Sequence, residues 1–255
     1  MKKKIVYGVL LLFTISCVQP EEEQSKGLSD VKSAFWTQLA AETEALYIQG
    51  YNLASERIRS YDPEQETLPP AVVLDIDETV LDNSPFTVYR AKEGLTYSED
   101  LWNEWCERRE AGILPGVLAF TRLADSLGIE VFYISNRLES VLGATIDNML
   151  RYGLPNSDSA HILLKTAGSS KDVRRAKVRE SYYIILLIGD NLGDFDGIFD
   201  DRSLEYGKEA VREHASDFGT RYIILPNTMY GNWERAAFPD GVPGEKEVLE
   251  VLSGY

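Results

Sequence analysis

The sequence predicts an α/β fold: a doubly wound parallel sheet carrying a smaller, mainly helical cap. Three observations carry that prediction. Short apolar runs rich in Val and Ile alternate with longer stretches of helical periodicity. The principal runs end in polar clusters, as the strands of an open parallel sheet do where ligands bind. One insert rich in Tyr and Trp interrupts the alternation just after the first run, where a cap over a site would be built. At 255 residues the chain is long enough to bury a full core as one domain.

The N-terminal residues stand apart from that core. Lys2, Lys3 and Lys4 form a charged leader, and Ile5 through Ile15 form an apolar run too short to span a bilayer comfortably. Residues 1–16 therefore read as an export signal. Ser16-Cys17 resembles a bacterial lipoprotein cleavage box, with Thr14 where that box usually has Leu; an ordinary signal peptide cleaved nearby is the alternative. The expectation is an exported bacterial lipoprotein, at the outer membrane or cell surface, that meets the membrane only through a lipid on Cys17. Residues 17–30, rich in Glu, read as a flexible tether. Residues 31–255 read as a single domain, with its core from about residue 68. With Cys17 acylated, Cys106 has no partner for an internal disulfide.

From Ser29 to Ile58 the pattern is helical, with Phe35, Leu39, Ala40, Thr43, Leu46 and Tyr47 at three- and four-residue spacing. Ser29-Asp30 is a plausible N-cap, and Tyr61-Asp62-Pro63 ends these helical additions, which span residues 31–62. Strands are predicted at Ala71–Asp75, Glu130–Ser135, Tyr183–Asp190 and Arg221–Pro226. Helices are predicted at Glu99–Glu110, Val117–Leu127, Leu138–Tyr152, Lys171–Glu180, Ser203–Ala215 and Gly244–Leu252. The insert covers about residues 82–115.

Composition narrows the partners. Without Lys2, Lys3 and Lys4, 23 of the 26 basic residues remain against 41 acidic ones, a formal net charge of −18. Such a surface repels nucleic acid and anionic membrane. Any site for a phosphate must supply its own local positive charge.

The chemistry concentrates at the strand ends. Asp75-Ile76-Asp77-Glu78-Thr79 follows Ala71-Val72-Val73-Leu74, so two carboxylates two positions apart emerge as the chain leaves the sheet. Anions held that close call for a divalent cation or a shared proton. The second strand ends in Ser135-Asn136-Arg137, a basic helix begins at Lys171, and the strand Ile184–Ile188 leads into Gly189-Asp190-Asn191-Leu192-Gly193-Asp194. Hydroxyl, amide, ammonium and carboxylates at one sheet edge describe a site for phosphate and metal. Ser135 and Asn136 also read as a helix N-cap pair, a role compatible with phosphate binding. Lys165 competes with Lys171 for the place of the phosphate lysine.

DIDETVLDNSP, ISNR, GDNLGDF and PNTMYGNWE, in this order, resemble the haloacid dehalogenase-like superfamily, and more narrowly the class C acid phosphatases, which are secreted or lipoprotein bacterial enzymes. The resemblance runs from ALYIQGYNLA to NTMYGNW and implies a Rossmann-like core of the haloacid dehalogenase type. It implies a metal-dependent acid phosphomonoesterase acting on small phosphate esters, nucleoside monophosphates among them. Asp75 would be the nucleophile that forms an aspartyl-phosphate, and Asp77 the general acid and base. Mg²⁺ or a similar ion would bind Asp75, the backbone carbonyl of Asp77 and Asp190, with Asp194 supporting through water. Ser135, Asn136 and Lys171 would bind the phosphate. Tyr97, Trp102, Trp105, Tyr230 and Trp233 read either as core, as most aromatic residues at helical spacing are, or as a platform for a base, with Tyr230, Trp102 and Tyr97 the candidates to stack.

The alternatives are a phosphotransferase on the same fold and a non-catalytic binding lipoprotein, the latter disfavoured by the presence of Asp75. The only histidines, His161 and His214, lack the arginine context of the histidine phosphatases and are read as structural. The family is compatible with a homodimer, which nothing in the sequence itself requires.

Overall fold

The computed structural model describes residues 31–239 and 245–254. The export signal, Cys17, the tether and the Ser29-Asp30 cap lie outside the described residues.

The chain opens with helix α1 (residues 31–39), breaks at Ala40, whose backbone is extended, and continues as α2 (Ala41–Arg59). The buried line of α2 is Thr43, Tyr47, Tyr51, Ala54 and Ile58. Phe35, Leu39 and Leu46, expected on the same inward stripe, are exposed. The break at Ala40 resets the helical phase, so a stripe drawn across it does not stay on one face.

Strand β1 (Pro70–Leu74) is followed by β2 (Leu81–Asp82), α3 (Ser84–Glu93), α4 (Glu99–Arg108), β3 (Gly112–Ile113) and α5 (Val117–Ser126). Then come β4 (Glu130–Leu138), α6 (Leu142–Leu150), β5 (Ile162–Lys165), α7 (Asp172–Arg179) and β6 (Tyr183–Gly189). The chain closes with α8 (Lys208–Glu213), β7 (Tyr222–Ile224), α9 (Asn232–Ala237) and α10 (Glu245–Val251).

Five strands form one parallel sheet in the order β5-β4-β1-β6-β7. The chain builds outward from β1 through β4 to β5, then returns to the other side of β1 for β6 and β7. This is the predicted doubly wound α/β architecture, and its order reverses between β1 and β6. The alternation of β1 sends Val72 and Leu74 into a cluster with Tyr47, Tyr51 and Phe120. Ala71 and Val73 enter a second cluster with Val178, Phe195 and Phe199. Both faces of the sheet are thus covered, which is why the strands read as continuous apolar runs.

The insert is pinned at its two ends by an antiparallel ribbon that pairs Leu81 with Ile113 and Asp82 with Gly112. Its two helices pack through Phe86, whose ring lies 5.3 Å from Trp102 and 6.3 Å from Trp105.

Several boundaries depart from the predicted ones. Strand β5 was not among the predicted strands. β4 runs on through Leu138, where a helix was expected to begin, and α6 starts only at Leu142 after a 3₁₀ turn at Glu139–Val141. The expected Ser135-Asn136 helix cap is therefore absent. Ser135 Oγ instead accepts from the Arg137 N–H at 3.1 Å, and the pairing with β5 shifts register between Ile134 and Leu138. The helix predicted over Ser203–Ala215 shortens to α8, because Tyr206 (φ 60°) and Gly207 (φ 89°) are left-handed. Cys106 is a free, buried thiol. Among the described residues no helix is long and apolar enough to cross a membrane.

Candidate active site

Where the sheet order reverses, the ends of β1 and β6 deliver carboxylates to one point, the place at which open α/β sheets bind ligands. The Asp75 N–H donates to the Ile188 carbonyl at 2.9 Å, which holds the exit of β1 beside β6. Oxygens of Asp75, Asp190 and Asp194 all lie within 4.8 Å of one another. Lys171, at the start of α7, sets its buried ammonium among them. It donates to Asp75 Oδ1 and, at 2.6 Å, to Asp194 Oδ1. The turn after β6 makes this approach possible. Asp194 Oδ2 accepts from the Asn191 N–H at 2.9 Å, and a Cβ at Gly189 would overlap the Asp194 side chain. Asp190 accepts from Thr79 Oγ1 at 3.4 Å and from Asn227 Nδ2 at 2.8 Å.

Burial sets the electrostatics. It pushes the Asp75 carboxyl well above the ordinary range; Lys171 opposes that rise, while Asp194, Asp190 and Asp77 add to it. Burial, with Asp194 next, pushes Asp190 up to about 7. For Lys171, burial works against the charge, but Asp194 and Asp75 outweigh it and raise its pKa. Three carboxylates around one ammonium carry two uncompensated negative charges when all are ionised. That all-oxygen donor set, with its excess of negative charge, fits a hard divalent cation.

Asp77 has hydrogen-bond partners of its own. Its Oδ1 accepts from Arg137 Nε at 2.9 Å and Asn83 Nδ2 at 3.0 Å, and its Oδ2 from Ser135 Oγ at 2.9 Å. Asn136 lies outside that network, held by Arg174 Nη2 at 2.6 Å. Arg174 also donates to the Ser135 carbonyl.

Of the two lysine candidates, Lys171 is the one at the carboxylates. Lys165 pairs with Glu99 at 3.2 Å, tying the β5 edge to cap helix α4. Tyr97 is exposed just before α4, Trp102 is partly buried against Phe86, and Tyr230 is half-exposed on the loop after β7. Trp105 is core, and its indole N–H donates to Asn83 Oδ1 at 2.8 Å. His161 pairs with Asp158 and Glu130, and His214 with Asp217.

Four residues at the site went unassigned from sequence: Asn83, Arg137, Arg174 and Asn227. Two left a signal. Arg174 follows Lys171 by three, the spacing of one helical face. Arg137 follows Ser135 by two, the spacing of one strand face, visible only once the strand is known to continue. Asn83 and Asn227 arrive by tertiary approach; both lie inside the quoted signatures DIDETVLDNSP and PNTMYGNWE, but no spacing marked them as contacts of Asp77 and Asp190.

The sequence matches HAD superfamily subfamily IIIB (acid phosphatase) over residues 18–233. The class C acid phosphatase from Bacillus anthracis is similar at 37% identity and a TM-score of 0.83, over 90% of this chain and 99% of that one. A second structure of that phosphatase, with tungstate bound, matches equally. Among plant proteins, the stem 31 kDa glycoprotein of Glycine max is 24% identical over 84% of this chain and 74% of its own length. Acid phosphatase 1 of Solanum lycopersicum is 28% identical over 62% of this chain and 57% of its own.

Proposed function

This chain belongs to subfamily IIIB of the HAD superfamily, as an acid phosphatase of the class C type, and from that premise we propose that Asp75 hydrolyses phosphate monoesters by covalent catalysis. The observation that supports this reading best is the convergence of Asp75, Asp190 and Asp194 on one point beside the ammonium of Lys171.

Asp75 attacks phosphorus in line and the bond to the leaving oxygen breaks, which splits one hard displacement into two easier ones. Asp77 gives its proton to the departing oxygen, then takes one from the water that cleaves the aspartyl-phosphate. An alkoxide leaving group needs that proton, so Asp77 must be protonated for part of the cycle, in keeping with an acid phosphatase. Lys171 holds Asp75 Oδ1 and donates to the oxygens of the transferring group, while Ser135 and Asn136 orient the phosphate. A divalent cation, which we take to be Mg²⁺, would be held by Asp75, Asp190, Asp194 and the backbone carbonyl of Asp77, and would screen the nucleophile from the incoming dianion. Tungstate, a phosphate-like oxyanion, is bound by the Bacillus anthracis relative, which supports oxyanion binding by this chain.

We assign nucleoside monophosphates as a substrate class, with Tyr97, Trp102 and Tyr230 offering flat surfaces to the base. The lipid anchor on Cys17, with tether 17–30, would hold the enzyme at the outer face of a membrane. Nucleotides cannot cross that membrane until they lose their phosphate.

The test is Asp75→Asn in otherwise native protein. Turnover of a nucleoside monophosphate and of an aryl phosphate should fall to background while the protein stays folded by circular dichroism; full activity would eliminate the covalent route. EDTA should inactivate the parent and Mg²⁺ restore it. Undiminished rates in chelator would remove the metal from the mechanism.

A further inference from the structure

Arg137 is a charged side chain, only 1% exposed, for which the roles above have no use. Taking a guanidinium out of water is unfavourable unless its donors are matched, and here they are. Nε donates to Asp77 Oδ1 at 2.9 Å, Nη2 lies 2.8 Å from that same oxygen as an ion pair, and Nη2 donates to Asn83 Oδ1 at 3.4 Å. Nη1 donates to Thr145 Oγ1 at 3.2 Å, and the guanidinium carbon lies 5.7 Å from the centre of the Trp102 ring. Asn83 Nδ2 donates to the same Oδ1 at 3.0 Å. Asn83 is itself oriented by Trp105 Nε1, which donates to its Oδ1 at 2.8 Å.

The two oxygens of Asp77 are therefore treated differently. Oδ1 is held by the buried Arg137 guanidinium and by the Asn83 amide. Oδ2 receives Ser135 Oγ at 2.9 Å, a hydroxyl free to rotate onto a phosphate oxygen. The Arg137 backbone N–H meanwhile donates to that same hydroxyl oxygen at 3.1 Å, so one residue organises both partners of Asp77.

We propose that Arg137, seconded by Asn83, is a positioning residue: it anchors Oδ1 of Asp77 so that Oδ2 is the oxygen that exchanges the proton. In the first half-reaction the Oδ2–H bond breaks as the proton passes to the leaving oxygen, which keeps the electron pair of the breaking P–O bond. In the second, a water proton returns to Oδ2 as the water oxygen bonds phosphorus and the bond from phosphorus to Asp75 breaks. Lysine cannot reproduce the two-pronged hold, because its ammonium lacks the planar fork. The inference rests on the acid–base role given to Asp77 above.

The test compares Arg137→Lys, Asp77→Asn and the double variant on an alkyl phosphate and a nitrophenyl phosphate, reading kcat/KM, which reports steps through departure of the leaving group. Arg137→Lys should lower the alkyl value about tenfold or more, in kcat rather than KM, and spare the nitrophenyl value. In the Asp77→Asn background it should change neither substrate further. Equal losses on both substrates, or a multiplied loss in the double variant, would overturn the inference. If Asp77→Asn alone loses both substrates equally, the acid–base reading fails and takes this inference with it. If Asp77→Asn discriminates and Arg137→Lys does not, the positioning role alone fails. Should Arg137→Lys not fold, Trp105→Phe, which removes the donor that orients Asn83, carries the same comparison. A selective alkyl loss supports the assignment, and an equal loss overturns it.

Discussion

Lys171 is the residue on which the charge balance of the site turns. Among the described residues its ammonium is the one cation in hydrogen-bonding contact with both Asp75 and Asp194, all three being buried. Lys171→Met should lower kcat by about 10²–10³. It should also destabilise the metal-free protein by about 3–5 kcal/mol, because buried carboxylates lose their counter-charge. Thermal melts with and without Mg²⁺ check this: the divalent ion should restore most of the lost stability, and a variant as stable as the parent in EDTA would refute the assignment. A quieter prediction concerns Asp158. Partial burial works against its charge, but hydrogen bonds from His161 and from the N–H groups of Ala160 and His161 prevail and hold its carboxyl below the usual range. A depressed pKa stabilises the fold above the unfolded-state value and loses that contribution as pH falls through the folded one. Asp158→Asn should thus lower the free energy of urea unfolding at pH 7, by less than about 1 kcal/mol for so exposed a group. The difference should begin to shrink only below about pH 4, near the unfolded-state value, and vanish once the pH lies under the folded one; a deficit that stays the same down through that range would contradict it. At this scale the sequence was legible wherever a polar cluster directly follows an apolar run, as at Asp75, Asp77, Asp190 and Asp194. Lys171 was preferred over Lys165 because it opens a basic helix; in the structure β5 ends at Lys165, which pairs with Glu99 of the cap.

At the scale of elements, α2 is more than an added layer. The Tyr51 hydroxyl donates to the Thr79 carbonyl at 2.7 Å. The Tyr47 hydroxyl donates to Glu78 O at 2.7 Å and Pro226 O at 3.0 Å. Two buried phenols thus brace the loop that carries Asp77, including Glu78, whose φ of 59° is unusual for a residue other than glycine. Tyr51→Phe should leave the Thr79 carbonyl buried without that donor and cost about 1–3 kcal/mol in urea unfolding. Unchanged stability would mean that the hydroxyl does not brace the loop. The close seating of α2 also fixes Gly116, which has φ 86° and where a Cβ would come within 2.9 Å of Tyr51 Cβ. The helical pattern of α2 was readable, but its contact with the loop was not, since a tyrosine at helical spacing does not announce where its hydroxyl ends. β5 is a four-residue edge strand whose run Ile162-Leu163-Leu164 is too short to mark it as a strand by periodicity. α3 sat unread inside the insert, although a proline near its start and Gly94 at its end (φ 64°) are helix punctuation.

For the whole molecule, the crossover that returns the chain from β5 to β6 is what makes the site. Residues 75 and 190 stand far apart in sequence, and only the order β5-β4-β1-β6-β7 sets their strand ends side by side. The alternation of strands and helices foretold that arrangement. The partition of the two Asp77 oxygens depends on how the cap, through Asn83, Trp102 and Trp105, closes over β4, and periodicity does not encode it. The central claim is that Asp75 bonds covalently to phosphorus. It is tested most directly in Asp77→Asn, which should accept phosphate from an activated aryl ester but release it slowly. After acid quench of a reaction with phosphorus-labelled substrate, peptide mapping should find the label on the peptide containing Asp75 and none when Asp75→Asn is added. Label on a serine or histidine, or continued consumption of the ester with no label on protein, would contradict the account.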